Sequence, residues 1–158
     1  MSQYFRAPWG LKLKLVTAAY AILCTWMLVS GGLATGIGLL VIGAVALVFG
    51  VRGYNVGDGE LKIHHLGWAE TFDLRDLIEA EVIPGGMPGS LRVSGVGGLF
   101  SFVGRFWHPN VGWYRAYATD GSRSVLLSFG DQTVLVTPVS PGEFAAAVRF
   151  QRYAQPAS

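Results

Sequence analysis

LVTAAYAILCTWMLVSGGLATGIGLLVIGAVALVFGV, from Leu15 to Val51, is a run of 37 residues without an Asp, Glu, Lys, Arg or His. Its apolar character gives way only at Ser30-Gly31-Gly32. A helix crosses a hydrocarbon core of about 30 Å with about 20 mostly apolar residues. One unbroken helix of this run would be roughly 55 Å long at about 1.5 Å per residue, far longer than a bilayer requires. Two helices, about 11–29 and about 33–51, fit that thickness, with the Ser-Gly-Gly turn between them. The expected arrangement is a transmembrane helical hairpin integral to the lipid bilayer.

The flanks orient it. Residues 1–14 carry Arg6, Lys12 and Lys14 and no acid, Arg52 follows the second helix, and the turn has no cation. The positive-inside rule then places both termini in the cytoplasm. Trp9, Lys12, Lys14 and Arg52 are the expected membrane-surface contacts of this flank, since indoles and snorkelling cations favour the headgroup zone. Met1–Leu11 reads as a short juxtamembrane lead. A cleaved signal sequence is disfavoured because the second apolar run follows the first at once. Within the pair, Gly36, Gly43 and Gly50 recur every seven residues, and Thr17, Ala21 and Thr25 every four. Small residues let helices approach closely in lipid, so these stripes are expected to face each other within one hairpin; the same stripes leave a homo-oligomer open. No ionisable group in the span offers a proton or ion path.

After Arg52 the pattern changes to period two. Glu60-Leu61-Lys62-Ile63-His64 alternates as a half-buried strand does, behind the turn dipeptide Asp58-Gly59. Further strands are expected near 68–73, 77–83, 113–119, 124–129 and 132–137, separated by Asp120-Gly121 and Gly130-Asp131. Ser140, Pro141 and Glu143 have the spacing of a helix start, and a helix is expected over about 141–153, ended by Pro156. The expected division is 1–52 for the lead and hairpin and 53–158 for the β domain. The fold class is α+β.

The stretch 84–112 is glycine-rich, with 8 glycines in 29 residues, and encloses the aromatic run Leu99–Trp107. A connection this long is uncommon unless it has a role or joins the sheet. Arg92, Arg105, Phe106, Trp107 and Trp113 suggest an aromatic-arginine edge that could meet headgroups, with Arg105 and Trp107 outward and Phe100, Phe102 and Phe106 inward.

Several functions are excluded or disfavoured. Residues 52–158 carry 9 basic and 10 acidic side chains, a balance unsuited to nucleic acid. The single cysteine, Cys24, permits no intramolecular disulfide and no thiolate metal site. His64 and His65 are neighbours on a strand and point to opposite faces, so one metal cannot readily take both. Asp73 and Asp76 read as a turn that bonds its own backbone. Ser94-Gly95-Val96-Gly97-Gly98 lacks the P-loop Lys and the dinucleotide Gly-x-Gly-x-x-Gly. No catalytic residue, cofactor or metal is expected.

An N-terminal hairpin, then Tyr54-Asn55-Val56, Gly59–Ile63 and Phe72–Leu77, then Gly-Gly-Leu-Phe-Ser-Phe-Val-Gly, and Val136-Thr137-Pro138 before Pro141–Phe144, resembles the bacterial PH-like (pleckstrin-homology-like) domain family. The resemblance implies a bent antiparallel sheet or barrel of seven strands, capped by a C-terminal helix. It also implies a non-enzymatic module at the bacterial cytoplasmic membrane, with the β domain in the cytoplasm and a protein partner or an assembly role. The alternative is sensing of lipid headgroups through the 84–112 edge. A small membrane enzyme or transporter subunit is less favoured. Lys62 is the only cation of the first expected hairpin, so the basic cluster of eukaryotic PH domains is not evident there.

Overall fold

Alternation places Leu61 and Ile63 inside and Lys62 outside on the strand Glu60–His64, and the computed structural model shows that burial pattern. The structure describes residues 2–85, 89–97 and 99–154, except the side chains at 92 and 95–97. In chain order the elements are β1 (Gln3–Arg6), α1 (Leu11–Val29), α2 (Leu33–Val48), β2 (Gly53–Gly57), β3 (Glu60–His64), β4 (Ala69–Asp73) and a 3-10 turn (Leu74–Asp76). Then come β5 (Leu77–Pro84), β6 (Leu91–Gly97), β7 (Phe102–His108), β8 (Gly112–Ala118), β9 (Arg123–Phe129), β10 (Thr133–Val136) and α3 (Pro141–Ala154).

Two sheets form. The first has the order β1-β2-β3-β4, and the second β5-β9-β10-β8-β7-β6. All pairings are antiparallel except β10 with β8. That pair is parallel because β10 inserts between β8 and β9, which are themselves consecutive. The α+β class holds, but the six-stranded sheet is mixed and the sheets do not close into a barrel. Among the described residues ten strands form where the resemblance implied seven: β7 takes up the aromatic run of 84–112, and two more extend the reading. β6 lies in the glycine-rich stretch, whose glycines hide the period. β1 lies in the lead, where Gln3–Arg6 pairs antiparallel with β2, Phe5 opposite Tyr54. Four residues are too few to show alternation.

The main core lies between the sheets and under α3. It holds Tyr54, Val56, Leu61, Ile63, Leu74, Leu77, Val125, Leu127, Val134, Val136, Phe144 and Val148. Phe5 packs edge-on to Phe144 at 5.2 Å, which fastens β1 to α3. On α3, Phe144, Ala145 and Val148 face inward, and Arg149 and Arg152 donate to the Ala80 and Ile78 carbonyls of β5. Pro156 lies outside the described residues. A second, smaller cluster lies on the other face of the six-stranded sheet, where Tyr114, Ala116, Ala118, Leu126 and Leu135 gather with Phe102 and Phe106. β8, β9 and β10 are therefore apolar on both faces, the pattern of strands buried on both sides.

The helices form an antiparallel hairpin. Tight approach is set at two glycines: a Cβ on Gly36 would fall 2.5 Å from Leu28 Cδ2, and one on Gly43 would fall 3.0 Å from Tyr20 Cε1. Gly50 lies past the end of α2, against Phe100. The facing surface of α1 is Leu13, Thr17, Tyr20 and Cys24, whereas Ala21 and Thr25 are exposed. The expected four-residue stripe fails because the buried seam follows a spacing of three and four, the period of two helices packed along their length. The Tyr20 hydroxyl donates to the Leu39 carbonyl across the seam.

Candidate functional site at the helix–domain junction

An α-helix leaves its last carbonyls without partners of its own. On α2 the β domain supplies them. Leu66 N–H donates to the Val48 carbonyl at 3.3 Å, and His65 Nδ1 and Ser101 Oγ reach the Phe49 carbonyl at 3.0 and 3.4 Å. A carbonyl only accepts, so the His65 proton lies on Nδ1. The ring stacks on Trp68 at 4.0 Å, and Trp68 meets Phe49 edge-on at 6.0 Å. Burial pushes the His65 pKa below its ordinary value, against the smaller opposing influences of the Phe49 carbonyl and Glu70. The imidazole thus sits neutral beneath the helix end.

The start of α1 is held similarly. Gly10 N–H donates to the Thr119 carbonyl at 3.1 Å, and a Cβ there would lie 3.1 Å from Asp120 Oδ1. Trp9 packs on Phe100, ring centroids 5.8 Å apart. Phe100 has φ +64°, a left-handed backbone that a bulky residue adopts only when its surroundings impose it. Here the imposed position wedges its side chain between Trp9 and Gly50. Three connections, 65–68, 99–101 and 119–122, therefore meet the helix ends, all at one end of the strands. The Asp58-Gly59, 109–111 and 130–132 turns lie at the other.

A cleft of about 390 Å³ opens at this junction, lined among others by Tyr4, Arg6, Trp9, Leu47, Arg52 and Phe100. Among the described residues no carboxylate lines it, and Tyr4 Oη donates to the Arg52 carbonyl at 3.3 Å. Lys12 and Lys14 are exposed on the first turn of α1 nearby. Beyond that turn the helices present apolar side chains outward: Leu15, Ile22, Trp26, Val29, Leu33 and Ile42 are all at least half exposed. One helix, Leu11–Val29, is long and apolar enough to cross a membrane.

The sequence-predicted residues separate into two groups. Trp9, Lys12, Lys14 and Arg52 gather at the junction. Arg105 and Trp107 lie on β7, whose Phe102 end adjoins the junction; Trp107 is five residues farther on, opposite Trp113. Phe102 and Phe106 do pack inward, on the second cluster, while Phe100 belongs to the junction. The side chain of Arg92 lies outside the described residues. Sequence reasoning did not find the capping role of His65 and Ser101, and no local pattern announces a cap supplied from distant loops. Asp73 and Asp76 form the expected turn: Asp73 Oδ1 accepts from Arg75 N–H at 2.9 Å, and the Arg75 side chain holds the carboxyl below its usual range. Among the described residues no group of His, Cys, Asp and Glu is arranged to hold a metal ion.

A family model described as Bacterial PH domain matches residues 52–151, more than half of the chain. No curated protein and no solved structure matches it.

Proposed function

The chain belongs to the bacterial PH domain family, and on that premise we propose that it is a membrane-anchored, non-enzymatic module that binds a protein partner or directs assembly at the cytoplasmic face of the membrane. PH domains are generally non-catalytic binding modules. One observation carries the anchoring. The chain leaves the β domain from β1, runs through an apolar hairpin with outward-facing Leu, Ile and Val side chains, and returns to pair β2 with that same β1. An exposed apolar surface of this kind needs lipid or protein to cover it, and an apolar hairpin whose first helix is of bilayer length suits lipid. The cations Arg6, Lys12, Lys14 and Arg52 all lie on the domain side of the hairpin, which orients the domain inward. A reporter active only outside the membrane, fused after Ser158, is expected to stay silent. A strong signal would overturn the orientation.

The junction cleft favours a second reading, recognition of an anionic lipid headgroup. Arg6 and Arg52 flank it beside Trp9 and Leu47, and among the described residues no acid lines it. This reading adds the helix ends to the 84–112 edge as a place of headgroup contact. Native mass spectrometry of the full chain is expected to show co-purified anionic lipid that is lost in Arg6→Gln/Arg52→Gln; equal retention in the double variant removes this reading.

A further inference from the structure

Strand register places Ser94, Arg105 and Arg115 directly opposite one another on β6, β7 and β8. They therefore stand in one row across three strands, on one face of the sheet. Side chains opposite each other on neighbouring strands have Cβ atoms about 5 Å apart, and like charges so placed are destabilising. Neutral neighbours do not relieve Arg105 here. Arg115 has a single long ion pair, 3.8 Å to Glu70, and Arg105 is exposed with no ion pair or hydrogen bond among the described residues. The row borders a cleft of about 170 Å³ lined by Ser94, Val103, Gly104, Arg105, Arg115 and Tyr117. At about 30 Å³ per water this is room for roughly five waters, enough for a tetrahedral oxyanion.

We propose that Arg105 and Arg115, with the Ser94 hydroxyl, form a binding site for a phosphate-like oxyanion. Two guanidinium forks on adjacent strands can donate to one anion from both sides, and hydrogen bonds between charged partners are about twice as strong as neutral ones. The anion also removes the like-charge opposition, so binding and sheet stability are coupled. Glu70 is the local opponent. It draws Arg115 partly away, which leaves Arg105 as the principal ligand. Burial pushes the Tyr117 phenol far above its ordinary pKa, so its hydroxyl stays protonated beside the cleft at neutral pH. The row belongs to the β domain alone, so the site does not rest on the anchoring reading, and a failed topology test leaves it standing. It lies three residues up β7 from the helix-docked end, about 10 Å at 3.3 Å per residue. A soluble anion and a headgroup of the surrounding bilayer can therefore both supply the chemistry.

The test is titration of inorganic phosphate into the full-length protein in nanodiscs of zwitterionic lipid, at pH 7 and constant ionic strength balanced with chloride. Phosphate is expected to raise the thermal unfolding midpoint of the wild type. Arg105→Gln should weaken the apparent affinity about tenfold or more, the range of one charge-assisted hydrogen bond. In phosphate-free chloride the same variant should unfold at or above the wild-type midpoint, because one of two opposed charges is gone. Ser94→Ala should weaken phosphate by a smaller factor. A wild type indifferent to phosphate overturns the site, as does an Arg105→Gln variant that responds equally. So does an Arg105→Gln midpoint well below wild type in chloride, which would make the guanidinium part of the sheet's own support. Repeating the titration with anionic lipid identifies the source. Unchanged phosphate affinity supports a soluble ligand, and affinity that falls with anionic lipid, in the wild type but not in Arg105→Gln, supports a headgroup in the same site.

Discussion

Tyr54 is fully buried on β2, and its hydroxyl is used twice: it donates to the Tyr117 carbonyl at 2.6 Å and accepts from Thr137 N–H at 3.0 Å. It thereby joins the first sheet to β8 and to the end of β10. Tyr54→Phe keeps the ring against Phe144 but leaves the Thr137 N–H buried without an acceptor, a loss of about 1–3 kcal/mol. Burial raises its pKa from 10.0 to about 12. The folded state therefore favours the neutral phenol. Its contribution is complete below pH 10 and is lost as pH rises from about 10 to 12, by roughly 3 kcal/mol in total. Tyr117 shifts in the same direction and adds to the alkaline loss. Denaturant unfolding at pH 9 and at pH 11 checks this: Tyr54→Phe should start less stable and lose less across the interval. The sequence placed Tyr54 on a strand by resemblance alone. Its double hydrogen bond joins residues 63 and 83 positions apart, and no local pattern carries such a partnership.

At the scale of elements, the hairpin was the most legible part of the chain, because length and apolarity set it without reference to any other segment. Leu11–Val29 and Leu33–Val48 match the expected helices closely, apart from the last turn of the second. Their facing surfaces were read correctly for Gly36 and Gly43 and incorrectly for Ala21 and Thr25, since a stripe of small residues on one helix does not reveal which stripe of the other receives it. The observed pairs, Leu28 with Gly36 and Tyr20 with Gly43, put Cys24 near the level of Leu39. Leu39→Cys should therefore form a disulfide with the native Cys24 within one chain on mild oxidation. A faster-migrating monomer on non-reducing electrophoresis is the expected result, and a covalent dimer would show that the seam is shared between chains. Gly36→Leu in the same background should lower the yield, because the added side chain overlaps Leu28. The junction was the least legible element. Its parts are the cap from His65 and Ser101, the wedge of Phe100 and the seat of Gly10, each contributed by a different connection.

For the molecule as a whole, alternation and turn dipeptides located six strands, and resemblance supplied β2 and the closing helix's place after the last strand. The open sheets, the parallel pair β10–β8 and the strand order β5-β9-β10-β8-β7-β6 were beyond them, because order is set by which apolar faces find cover and not by any one strand's pattern. β1 has a bearing on how the chain is made. It is made before the other described elements, yet its one strand partner among the described residues, β2, follows about 50 residues later, after both apolar helices. During synthesis residues 3–6 must wait, unpaired, until β2 has been made. If the start of the chain were carried across with α1, β2 would emerge to an empty edge and Phe144 would lose the ring of Phe5. On the proposed anchoring, completion of the first sheet would work as a check on insertion: only a hairpin with both ends on one side brings the two strands together. Closing that sheet across the intervening 46 residues is made easier once the helices have paired, since their antiparallel seam already returns the chain to its starting point.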